Sequence, residues 1–290
     1  MSTSDAAALT PDATRVYRKH VDEAAAALRN RLSPVPSRAL VFYPALDGGL
    51  EAVSSETPWS PDALPHLPTR EERPTTLAAG EVGSTSVLVL NGGLTLADGF
   101  TPREVVFPIR VLVEAGVDTL IFVQTAESLV PEIAPSDLML VTDHINWQGA
   151  NPLVGPNVDD WGPRFPDMTA PYAPALRRAA EDAAAAAGLS LRRGVYLARL
   201  GPDRCSRAEA RMARTIGADV VGTTTVPEVI AARHMNASVM AVSAITRRLL
   251  PAGSTREAPD PSTALTTARP RLSALLDALL TDPASDEGSM

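Results

Sequence analysis

Residues 218–234 read ADVVGTTTVPEVIAARH and set three hydroxyls side by side, Thr223, Thr224 and Thr225, between an apolar run and a helical pattern. Hydroxyls at the carboxyl end of a strand can bind a polar ligand. They can equally cap the helix and satisfy local backbone groups. The helix opening at Val226 adds N-terminal N–H groups and partial positive charge. Cys205, the only cysteine, stands between Arg204 and the nearby Arg207. Guanidiniums can lower a thiol's pKa and make it a nucleophile. No histidine base lies beside it in sequence, and the alternative is an inert buried thiol. Arg204 and Arg247 can clamp a carboxylate or phosphate, or they are two solvated surface arginines. Glu228 reads as a structural partner to Arg233 or to neighbouring backbone. His20 and His66 are too isolated in sequence to suggest a metal site, and no ligand spacing points to one.

The elements that must position these residues alternate between strand and helix patterns, which favours an α/β sheet. Residues 11–32 predict a helix with Val16, Ala24, Ala27 and Leu28 on one face, ended by SPVPS. RALVFYP predicts a buried strand followed by the ALDGGL turn. Residues 51–76 shift to Pro, Ser, Thr and charge and read as a long surface loop. VGSTSVLVL, TLIFVQTA, LMLVTD, GVYLARLG, DVVGTTT and SVMAVSAIT predict further strands. TPREVVFPIRVLVEAGV predicts a helix entered through Thr101 and Pro102 and stopped near Gly116. An alanine-rich helix ends at Gly188. SRAEARMARTIGA predicts a helix with Ser206 and Glu209 at capping-box spacing. Residues 251–269 read as a Pro/Ser/Thr-rich linker, 270–282 as a last amphipathic helix, and 283–290 as a disordered tail. Residues 1–35 form the N-terminal helix and lead-in, and 36–250 the main domain.

The chain has 290 residues, 45% hydrophobic and 21% charged, with only 4% aromatic. Its core must therefore be built from Ala, Val, Leu and Ile. A net charge of -8 argues against a general nucleic-acid binder. A single cysteine excludes an internal disulfide. No apolar run is long enough to span a membrane, and no basic-then-apolar leader opens the chain. The expectation is a cytoplasmic protein with no metal and no cofactor.

The segments FPIRVL, DHIN, NPLVGPN, RFPDM, GVY, GADVVG, TVPEVIAARH and SAIT occur in one order. In that order the chain resembles the trimeric purine nucleoside phosphorylases, a family that includes the methylthioadenosine phosphorylases, over residues 36–250. The resemblance implies a mixed central sheet flanked by helices and a homotrimer. It also implies a site near a subunit boundary, with Phe165 reaching a neighbour's pocket. His144 of DHIN reads as a structural histidine, with Asp143 and Asn146 holding the same loop.

The family's chemistry needs orthophosphate poised for attack on the sugar's anomeric carbon, a held purine that is protonated or hydrogen-bonded as it leaves, and an oriented ribose. This sequence departs at most of the positions that supply them. Ala45 stands where the phosphate serine would be. Gly93 and Thr95 replace an Arg-x-His pair, and Ala97 replaces an aromatic. The upstream histidine position falls on Arg73, with His66 nearby. A glycine-rich turn becomes QTAES, carrying Thr125. Thr224 stands where serine is usual, beside Thr223. At the purine end, Arg204 and Cys205 replace a Phe-Glu pair, and Arg247 replaces an asparagine after the retained Thr246.

Three readings follow. The chain is a repurposed enzyme, of specialised-metabolite biosynthesis, acting on a ligand other than an ordinary purine nucleoside. Or it is non-catalytic, a ligand sensor or the partner of an active paralogue. Or it is a true phosphorylase in which Arg73 or Arg247 supplies the missing charge. The candidate catalytic residues are Arg247, Cys205 and Thr224. The candidate ligand contacts are Thr223, Thr246, Arg204, Thr125, Phe165, Thr95 and Arg73.

Overall fold

The computed structural model describes residues 10–43, 46, 53–55, 59, 64–69, 75–249 and 260–281. Nine strands and six α-helices are assigned among them. The strands are β1 (Arg38–Phe42), β2 (Val53–Ser55), β3 (Thr76–Val82), β4 (Thr85–Asn91), β5 (Thr119–Ser128), β6 (Leu138–Trp147), β7 (Leu191–Arg199), β8 (Val220–Gly222) and β9 (Ser238–Arg248). The helices are α1 (Pro11–Arg31), α2 (Pro102–Ala115), α3 (Pro174–Ala186), α4 (Arg207–Thr215), α5 (Val226–His234) and α6 (Pro261–Thr281).

The strands form one mixed sheet in the order β2-β3-β4-β1-β5-β8-β7-β6-β9, and β9 returns to pair with β5. Strands β5, β8, β7, β6 and β9 therefore close into a ring, and β1 to β4 extend from it. β1 lies parallel to both β4 and β5, with Phe42 opposite Asn91 on one side and Val123 on the other. That register brings the carboxyl ends of β1 and β4 together beside the outer half of β5, which runs on to Ser128, and the carboxyl edge of an α/β sheet is the usual place for a ligand. Both faces of the central strands are buried, Leu120 to Val123 without a break. Such continuous burial requires helices on both sides. The mixed sheet with flanking helices is the fold expected from the family resemblance.

Several local signals act as read. Thr101 caps α2 in a reciprocal capping box with Glu104, and Gly116 ends it at φ 119°. Ser206 and Glu209 make the same box at α4. Other details differ. In α1 the buried residues include Val21, Ala24, Ala25 and Leu28, while Val16 is exposed. The stripe is set by the helix's contact with α2. The expected loop at 51–76 holds a short strand of its own, β2 (Val53–Ser55), and gives way at Thr76 to β3, which pairs with β2 and forms a hairpin with β4. The TLAAGEV sequence of β3 carries Gly and Ala and lacks the β-branched run that marks a strand. α6 begins at Pro261, inside the expected linker, and Pro270 lies within it. Polar Thr and Ser on its outer turns masked an inner row of Ala264, Ala268, Leu272, Leu275 and Leu279, all buried. Residues 250–259 and the tail at 282–290 lie outside the described residues.

Candidate active site

A cavity of about 570 Å³ opens at the joined strand ends. Tyr43 follows β1, and the segment from Gly92 to Asp98 follows β4. Thr125, Ala126 and Glu127 come from the end of β5, and Arg199 and Arg204 from the end of β7 and its loop. Val221 to Thr224 leave β8, and Thr246 comes from β9.

The structure brings six of the ten candidate residues to this cavity: Thr95, Thr125, Arg204, Thr223, Thr224 and Thr246. Thr246 is there because of a β-bulge. Ala126 pairs with Ile245, but Glu127 pairs with Arg247, so Thr246 is the extra residue of β9. Its hydroxyl donates to the Ala126 carbonyl at 3.2 Å. Thr95 precedes a short 3₁₀ turn but makes no capping bond, which leaves its hydroxyl for the cavity.

The other candidates part from expectation. The bulge sets Arg247 opposite Glu127, and its Nε lies 3.5 Å from the Glu127 carboxylate. Arg247 is outside the cavity lining and pairs with a lining acid instead. Cys205 is also outside the lining and half-buried. Burial raises its pKa, and Glu209 raises it further, against a smaller opposing effect of Arg199. An activated thiolate is the reverse of this environment. Phe165 is 85% exposed and does not line its own chain's cavity. Arg73 lies outside the described residues.

Charged groups the sequence did not single out decide the cavity's electrostatics. Asp98, Glu127 and Asp203 line it beside Arg199 and Arg204. Arg199 donates to the Asp203 carboxylate at 2.8 Å and also to its carbonyl. Arg204 is exposed and forms no ion pair among the described residues. Among the described residues the cavity therefore holds one internal ion pair, Arg199 with Asp203, an unpaired Arg204, and a set of threonine hydroxyls. No signal in the sequence pairs Arg247 with Glu127, because the pairing depends on strand register.

Behind the threonines lies a buried polar layer. The Tyr43 hydroxyl donates to Glu228 Oε1 at 2.7 Å. Of the two partners expected for Glu228, Arg233 donates elsewhere, to the Ala237 carbonyl, while a backbone amide, its own, does act on the carboxyl; Tyr43 is the side-chain partner. Burial pushes the Glu228 carboxyl up to about 7, against smaller opposing effects of Tyr43 and its own amide. Its Oε2 is buried with no hydrogen-bond partner among the described residues. The Thr224 amide donates to the Tyr196 hydroxyl at 3.3 Å. Gly222 must lack a side chain, since a Cβ there would fall 2.1 Å from that hydroxyl. Gln148 Nε2 donates to the Thr223 carbonyl at 3.1 Å and fixes the turn from the far side.

His144 behaves as a framework residue. Its Nδ1 lies 3.1 Å from the Tyr172 hydroxyl, and burial lowers its pKa. Asn146 donates to the Ala150 carbonyl at 2.9 Å, holding its own loop. His20 and His66, distant in sequence, stack with ring centroids 3.8 Å apart, and His66 binds Glu23 at 2.6 Å. No group of three His, Cys, Asp or Glu among the described residues is placed to hold a metal ion. No helix there is long and apolar enough to cross a membrane.

The family model of the phosphorylase superfamily matches residues 40–281. The chain is 38% identical over 236 residues to purine nucleoside phosphorylase 1 of Geobacillus stearothermophilus, covering 79% of this chain and 84% of that one. It is 35% identical to purine nucleoside phosphorylase 1 of Bacillus subtilis, over 79% of this chain and 85% of the relative. The structure of a Schistosoma purine nucleoside phosphorylase in complex with guanosine superposes with a TM-score of 0.82 at 29% identity. That match covers 91% of this chain and 97% of the other. Cavity, sheet and sequence agree: the chain belongs to the phosphorylase superfamily, as a purine nucleoside phosphorylase homologue.

Proposed function

We propose that the chain is a repurposed enzyme of this family, acting at the sugar of a polyhydroxylated glycoside other than an ordinary purine nucleoside. A role in specialised-metabolite biosynthesis belongs to the same reading. The observation that carries it is the acid excess of the cavity lining, where Asp98, Glu127 and Asp203 face only Arg199 and Arg204, and of those two arginines only Arg204 forms no ion pair among the described residues. Arg199 is tied to Asp203, and Arg247 is tied to Glu127. A phosphate dianion needs unspent positive charge or converging N–H donors to offset its desolvation. The described cavity offers chiefly neutral hydroxyls, which suit a sugar. Glu127 and Asp203 line it too, so each arginine paired with them brings no net positive charge to an anion.

The Arg247–Glu127 pair weakens the reading in which Arg247 supplies phosphate charge, and leaves Arg73 as that reading's candidate. A cavity of about 570 Å³ is room for a ligand, which favours an enzyme over a filled, non-catalytic subunit. The deciding experiment gives inosine, guanosine and methylthioadenosine with orthophosphate to the chain and to the Geobacillus relative side by side. Base release about a hundredfold slower or more is expected, as for lost transition-state contacts. Equal rates would establish a true phosphorylase. An Arg73→Ala variant that abolished such activity would then place the missing charge.

A further inference from the structure

The three threonines divide their work between the cavity and the protein interior. Thr223 and Thr224 line the cavity, whereas Thr225 is fully buried. Thr225 has φ 77° and ψ -44°, and the Val226 amide donates to the Thr224 carbonyl across it at 2.9 Å. That is a tight turn of a strained, positive-φ kind, rare for a β-branched residue. Such strain persists where the surroundings impose it, and it clusters at functional positions.

The turn aims the Thr225 hydroxyl at two neighbours. It lies 3.2 Å from the Thr224 hydroxyl, and on its other side it is close enough to Tyr43 to oppose the rise of that phenol's pKa. Tyr43 in turn donates to Glu228 at 2.7 Å. Thr224, Thr225 and Tyr43 therefore set hydroxyls one beside the next from the cavity floor to a buried carboxyl whose Oε2 has no hydrogen-bond partner among the described residues. The Tyr43 ring also fills the space beside Gly93, where an added Cβ would meet it at 2.9 Å.

We infer that Thr224, Thr225, Tyr43 and Glu228 form a proton relay that lets water, in place of orthophosphate, attack a glycosidic carbon held in the cavity. The inference rests on the reading of the cavity as a glycoside site. The water oxygen bonds to the anomeric carbon as the glycosidic bond breaks, and the bonding pair leaves with the aglycone. The water's proton passes to Thr224 while each hydroxyl hands its own proton inward, so that one proton arrives on the Glu228 carboxylate. The aglycone takes a proton from solvent, and Glu228 later returns its proton outward along the same chain. Thr224 is the catalytic residue. Thr225, Tyr43 and Glu228 act through it as positioning and proton-holding residues. A carboxyl that titrates at about 7 exchanges protons readily near neutral pH. Tyr43 from the end of β1 and Tyr196 from β7 are the titratable groups that interact with it. On α2, Arg110 acts on His234 at the far end of α5.

The test follows p-nitrophenyl β-D-ribofuranoside in phosphate-free buffer, with wild type, Thr224→Val, Tyr43→Phe and Glu228→Gln. Wild type should hydrolyse it, take the new oxygen from labelled water, and gain rate through a limb near pH 7. Each variant should be about a hundredfold slower and lack the limb. No hydrolysis of this probe, or the same limb in all variants, overturns the relay. The infrared carbonyl stretch of protonated Glu228 gives a second readout in the full chain without substrate. It should titrate near pH 7 and shift its midpoint in Thr224→Val. An absent band, or an unmoved midpoint, also overturns the relay. Rapid phosphorolysis of inosine would bring down both the glycoside reading and the relay. An absent band with phosphorolysis still slow would bring down the relay alone.

Discussion

Glu228 carries the clearest consequence of a single residue's burial. Its carboxyl is raised from 4.5 to about 7 in the folded chain, chiefly by burial. The folded protein therefore keeps a proton that the unfolded chain releases between these values. This contribution to stability is fully present below about pH 4.5 and is lost as pH rises to about 7. The loss is on the order of 3 kcal/mol for a shift of this size. Glu228→Gln should remove that slope, so the difference between wild type and variant in denaturant unfolding should change across this range and then level off. An equal slope in both proteins would show that Glu228 ionises freely in the fold. Cys205 teaches the opposite lesson. Its arginine neighbours in sequence do not set its environment, because burial and Glu209 do.

At the scale of elements, strand register and helix packing place the site. One extra residue in β9 turns Thr246 into the cavity and Arg247 onto Glu127. Of the two arginines that the sequence joins as a clamp, Arg204 lines the cavity and Arg247 does not. Helix α6 covers the sheet with Leu272, Leu275, Leu276 and Leu279, next to Met240 and Val242 of β9. Leu275 is fully buried. Leu275→Ala should cost about 2–5 kcal/mol, from lost transfer energy and the void left behind. Denaturant unfolding checks this. A cost under about 1 kcal/mol would mean that the helix is loosely docked.

At the scale of the whole molecule, the family resemblance implies a homotrimer in which Phe165 enters a neighbour's pocket. In the single chain Phe165 is 85% exposed on the loop after β6, with the Arg164 guanidinium over its ring at 5.2 Å. Large exposed aromatics are favoured as interface anchors. Light scattering should give the mass of three chains. Phe165→Ala should leave that mass unchanged and weaken binding of the ribofuranoside probe by about tenfold, the scale of a modest interface contact. A monomer, or unaltered binding, would remove Phe165 from the site.

The sequence alone determined the α/β class, the order of most elements, the caps at Thr101 and Ser206, and the family. These rest on short-range periodicity, on cap chemistry and on long collinear motifs. It also pointed to the threonines, because a hydroxyl run between a strand and a helix is local. Only the tertiary structure brings Tyr43 to Glu228, since 185 positions separate the phenol from its carboxylate partner. The same holds for the loss of Arg247 to Glu127 and for the reach of α6. Hydrogen bonds and ion pairs act over a few ångströms in space, and strand register and packing bring such distant residues into that range.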